Sequence, residues 1–88
     1  MELQSLTDLP AGAAGTVAII QGGAGMLLKL GRLGLRPGAH LRKVGGLYGR
    51  GPVLVEVAGT QVALGHGMAG RVLVRPEEPP GEESPAGR

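Results

Sequence analysis

The chain has 88 residues, 18 of them glycine and none cysteine, with Tyr48 as its single aromatic and a net charge of +2. That length holds one small domain; the lack of cysteine excludes disulfides and thiolate metal sites. One tyrosine cannot build a stacking platform for single-stranded nucleic acid or an aromatic groove for polyproline.

The charge is unevenly placed. Residues 1–75 carry eight Lys/Arg against Glu2, Asp8 and Glu56, which makes this part +5, whereas residues 76–88 carry four Glu against Arg88, which makes them −3. A basic body favours an acidic partner such as a protein surface, nucleic acid or lipid headgroups. No apolar run approaches the roughly 20 residues that span a bilayer, and the opening "MELQSLTDLP" lacks the basic-then-apolar order of a signal peptide, so the expected location is the cytoplasm.

In chain order, "TVAII" (16–20) is β-branched and bounded by glycines, which predicts a short buried strand. "MLLKLGRL" (26–33) follows with helical spacing. At 100° per residue, Met26, Leu27, Leu30 and Leu33 fall in one arc facing the core, while Leu28, Lys29 and Arg32 fall outside it. Gly34 stands where a left-handed C-terminal cap is expected, and Pro37-Gly38 fits the centre of a type II turn. A strand is predicted from about Ala39, with imperfect alternation around Leu41. "PVLVEVAGTQVAL" is a hairpin: Val53, Val55 and Val57 alternate on one side, Val62 and Leu64 answer them, and Gly59 sits in the turn. "GHGMAG" predicts one 3₁₀ turn, and "RVLV" (71–74) a last strand.

Five short antiparallel strands with one helix inserted after the first bury their apolar content best as a small barrel over residues 1–75. The end, 76–88, is acidic and proline-rich with no large apolar side chain, which predicts disorder.

Candidates for chemistry are few. His40 and His66, with Glu56 the one acid inside the predicted barrel, make no spaced ligand set and no nucleophile–base pair, so no enzymatic activity and no resident cofactor are expected. The two histidines are the candidates for weak divalent metal binding. "QGGAG" lacks the GK[ST] of a phosphate loop. Lys29 and Arg32 share a side of the helix, Arg36 extends it and Leu28 adds an apolar residue, a composition suited to an acidic, partly apolar protein partner. The loop "GGLYGRGP" adds Leu47, Tyr48 and Arg50, of which Tyr and Arg are types enriched at binding hot spots.

The ordered pieces "SLTDLPAGAAGTVAII", "LGRLGLRPG", "GRGPVLVEVAG" and "VALGHGMAGRVLV" resemble the FeoA family, small proteins of bacterial ferrous iron uptake. The first carries Leu-x-x-Leu-x-x-Gly-x-x-Gly before a strand, and the second the signature Leu-x-x-Leu-Gly-Leu-x-Pro-Gly. The resemblance covers residues 5–75 and implies an SH3-like barrel with a helix after the first strand. It further implies a non-enzymatic accessory role in iron homeostasis, docking on the cytosolic GTPase part of the membrane transporter FeoB. The chain departs from the family pattern at Gly31 and Arg32, where the helix often carries an acid. The alternatives are a nucleic-acid-binding small barrel, or a metal-responsive module related to the SH3-like domain of iron-dependent repressors. No helix-turn-helix precedes the barrel here, which argues against a complete repressor.

Overall fold

The computed structural model describes residues 2–46 and 51–77. A two-residue strand β1 (Gln4–Ser5) precedes β2 (Ala14–Ile20); helix α1 (Ala24–Arg32) follows, then β3 (His40–Gly46), β4 (Val53–Val57), β5 (Thr60–Leu64), helix α2 (His66–Ala69) and β6 (Val72–Pro76). All strand pairings are antiparallel in one mainly β sheet of order β1-β6-β2-β3-β4-β5. Strands β2 to β5 form a meander, and β6 returns to lie between β1 and β2.

The sixth strand, β1, escapes sequence reading because two residues cannot show an alternation. It forms because Gln4 and Ser5 pair with Val74 and Leu73, and it delivers Leu6 and Leu9 into the core, both essentially fully buried. The predicted 3₁₀ turn at "GHGMAG" is instead a single α-helical turn, closed by Ala69 N–H donating to Gly65 O (2.9 Å) and Gly70 N–H to His66 O (3.1 Å). The last strand extends past residue 74 to Pro76, and Glu77 N–H donates to Ala14 O (2.9 Å).

The core is aliphatic throughout: Leu6, Leu9, Val17, Ile20, Leu30, Leu35, Leu41, the three β4 valines, Leu64, Ala69, Val72 and Val74. With no aromatic among the described residues, the layers approach closely. At Gly15, where β2 pairs with both β3 and β6, an added Cβ would lie 2.4 Å from Val74 Cγ1 and 2.6 Å from the Arg75 carbonyl oxygen. Only glycine fits that crossing.

The end of α1 follows the predicted chemistry. Gly34 has φ +92°, its N–H donates to Gly31 O (3.0 Å), and Leu35 N–H reaches back to Leu30 O (2.9 Å). This is the paired bonding of a Schellman cap, with the expected apolar contact supplied by buried Leu30 and Leu35. Pro37-Gly38 then turns the chain, with Gly38 at φ +95° and Ala39 N–H donating to Arg36 O (2.9 Å).

Burial differs from the helical arc expected. Leu30 is buried and Met26 packs against the core, but Leu27 is 43% and Leu33 40% exposed. Leu27 stands about 60° round from Leu30 on the wheel, beyond the narrow contact that a nine-residue helix makes with a curled sheet, and Leu33 is already the C-cap. Ile19, expected buried in β2, is also half exposed, on the outer face of a strand whose Val17 and Ile20 point inward across a register shift.

Candidate docking surface

Helix α1 carries a second apolar stripe on its outer side. Ala24, Leu27, Leu28 and Gly31 recur at i, i+3, i+4 and i+7 and line a shallow groove bounded by Arg32 and Arg36. Leu28, predicted outside the inward arc, is 61% exposed, the highest value among the exposed large aliphatics. An added Cβ at Gly31 would meet nothing within 4 Å, so this position forms an open floor.

The guanidinium of Arg36 donates to Gly31 O (2.9 Å), a helix-end carbonyl that also accepts the Gly34 N–H of the cap. That bond folds Arg36 over the helix terminus and fixes a cation at the lip of the groove. Lys29 and Arg32 lie in the last turn, where positive side chains complement the helix dipole. Neither these two nor Arg36 joins an ion pair among the described residues. The surface is therefore an aliphatic strip with uncompensated positive charge along one side, suited to an apolar ridge flanked by carboxylates.

Of the predicted docking residues, Leu28, Arg32 and Arg36 meet around this groove, and Lys29 does not line it. Leu47, Tyr48 and Arg50 lie outside the described residues. Sequence reading missed Ala24, Leu27 and Gly31. The signal was present as the i, i+3, i+4, i+7 spacing of a second stripe, obscured because Leu27 was assigned to the first.

The two histidines do not form a common site. His40 opens β3 and its Nε2 lies 2.6 Å from Glu77 Oε2, both side chains more than half exposed. His66 instead lines a cavity with Gly46, at the other end of β3. Six residues of strand separate those ends, about 20 Å at roughly 3.3 Å per residue. Among the described residues no group of three or more His, Asp or Glu is placed to hold a metal ion. No helix among them is long and apolar enough to cross a membrane.

Lys43 is a feature that sequence reading did not single out. It is the one charged residue buried among those described, at 8% exposure, and its Nζ donates to Leu9 O (2.7 Å) and Thr7 O (3.3 Å). Its parity with Leu41 in β3 was the available signal, since residues two apart share a face. Main-chain bonds reinforce the same junction, from Gly12 N–H to Lys43 O (2.7 Å) and from Lys43 N–H to Ala13 O (2.8 Å). β3 thereby holds the β1–β2 connection against the sheet.

A family model described as the FeoA domain matches residues 4–76. The chain is similar to an iron uptake regulatory protein (FeoA) of known crystal structure, with 36% identity and TM-score 0.81 over 86% of this chain and all of that one. It is likewise similar to Stenotrophomonas maltophilia FeoA, a prokaryotic SH3 domain protein crystallised with zinc, with 30% identity and TM-score 0.68 over 82% of this chain and 89% of that one. A manganese-dependent transcriptional repressor complexed with manganese is similar at 25% identity and TM-score 0.79, over 88% of this chain but only 38% of the repressor. Among curated proteins no sequence matches.

Proposed function

The chain belongs to the FeoA family and has its SH3-like fold, and from that premise we propose that it is a non-enzymatic accessory protein of ferrous iron transport. In this reading it acts in the bacterial cytoplasm and docks on the cytosolic GTPase part of a FeoB-like membrane transporter. The outer face of α1 is the docking surface.

The observation that supports this face is the stripe Ala24, Leu27, Leu28 and Gly31 between the core-facing side of α1 and the cations Arg32 and Arg36. A helix needs one apolar stripe to pack on its own sheet. A second, exposed one beside cations that join no ion pair among the described residues serves a partner. Stenotrophomonas maltophilia FeoA has been put forward as a ferrous iron transport activating factor, and we carry that class of role to this chain. Family members often carry an acid where Gly31 and Arg32 stand here, so the partner's contact patch is expected to be correspondingly more acidic.

The test is co-precipitation of the full chain with the purified cytosolic domain of its cognate transporter, without nucleotide, with GDP and with a non-hydrolysable GTP analogue. Binding in at least one state is expected. Absence in all three overturns the reading.

A further inference from the structure

The junction braced by Lys43 borders a small cavity at the end of the barrel opposite His40. Its volume is about 140 Å³, and Thr7, Ala11, Lys43, Gly46, Gly51, Val53 and His66 line it. This is well below the roughly 300–1,000 Å³ that drug-sized ligands fill, so it admits a group of a few heavy atoms and excludes a nucleotide.

Three observations bear on what that group is. An ammonium carries three N–H donors, and two of those of Lys43 are taken by the carbonyls of Leu9 and Thr7. Thr7 and Lys43 both line the cavity, so its wall includes both partners of one of the bonds that this ammonium makes. No carboxylate pairs with Lys43 among the described residues, although a buried charge is ordinarily paired. His66 stands exposed on the same lining and offers a ring N–H. The ammonium also makes this a poor place for a cation, so His66 is better placed to meet an anion than a metal.

We propose that Lys43 and His66 form a binding site for a single small oxyanion, of the size of phosphate or a carboxylate. The ammonium supplies its third donor and its charge, and the imidazole closes the outer side. This site is separate from the α1 surface and stands or falls independently of the docking reading.

The test is titration of the full chain with sodium phosphate and, separately, sodium acetate, against sodium chloride at matched ionic strength and pH, following by NMR the backbone amide resonances of Thr7, Lys43 and Gly46, which every variant below retains. The expected result is a saturable shift with at least one oxyanion and none with chloride. His66→Gln, an exposed position whose replacement leaves the core intact, weakens that binding roughly tenfold, and Lys43→Met by roughly ten- to hundredfold, as expected for losing hydrogen bonds to a charged group. Should Lys43→Met fail to fold, Thr7→Val, which removes the hydroxyl and leaves the carbonyl brace, is the second probe of the cavity wall and is expected to alter the shift. Identical responses to chloride, phosphate and acetate overturn the site. So does phosphate binding that survives His66→Gln unchanged, which would mark an adventitious ion only.

Discussion

The side chain of Lys43 reaches the carbonyl oxygen of Leu9, 34 residues away in sequence, at 2.7 Å. It thereby ties the inner face of β3 to the segment that delivers Leu6 and Leu9 into the core. The cost of removing this brace falls on the carbonyls as much as on the lysine. In Lys43→Met the stem is kept, but the oxygens of Leu9 and Thr7 lose their donor, and a buried acceptor left unsatisfied costs about 1–3 kcal/mol. Urea denaturation should show Lys43→Met less stable than the parent by about 2 kcal/mol with an unchanged m-value. An unaltered midpoint would mean that water replaces the ammonium without loss.

Glycines at different positions should respond oppositely to alanine. Gly15→Ala forces a Cβ to within 2.4 Å of Val74 Cγ1 and 2.6 Å of a main-chain oxygen, and overpacking of this kind costs about 1–3 kcal/mol or more. Gly31→Ala meets open space in a helix and should stabilise by about 1 kcal/mol, the difference in helix propensity. Thermal unfolding of the two variants should therefore move in opposite directions. The same Gly31→Ala methyl fills the floor of the docking groove, so it is expected to weaken partner binding while raising the melting temperature, a combination that a purely structural position would not give.

The hairpin between β4 and β5 holds a strained residue. Ala58 has φ +54° and Gly59 φ +79°, the pair of positive angles that a two-residue type I′ turn demands and that Asn-Gly satisfies best. Ala58→Asn should stabilise by about 0.5–1 kcal/mol, since the left-handed conformation is costly for alanine and tolerated by asparagine. Equilibrium denaturation checks this. A loss of stability would show that Ala58 contributes a contact outweighing its backbone strain.

Much of the fold was legible because its signature residues each answer one physical need. In the opening pattern Leu6 and Leu9 are core, Gly12 has φ +90°, and Gly15 stands where strands touch. In the second pattern Leu30 and Leu35 are buried, while Gly34 and Gly38 take positive φ. What was not legible depends on tertiary contact. The pairing of Gln4 and Ser5 exists only because β6 returns beside them. The assignment of Leu27 to the core failed because a wheel gives angles but not the width of the surface that a short helix meets. Lys43 reads as one more surface cation until the Thr7 and Leu9 carbonyls are placed above it.

The central claim is that the outer face of α1 binds the transporter. The direct measurement is calorimetric titration of the transporter's cytosolic GTPase domain with the parent chain and with Leu28→Asp/Arg32→Glu, in the nucleotide state that binds best. Both positions are exposed, so the variant should keep the parent's unfolding midpoint to within about 0.5 kcal/mol. Its affinity should fall at least roughly tenfold, since losing a desolvated arginine and an apolar anchor costs about 1.4 kcal/mol or more. A folded variant that binds as tightly as the parent would contradict the assignment of this face.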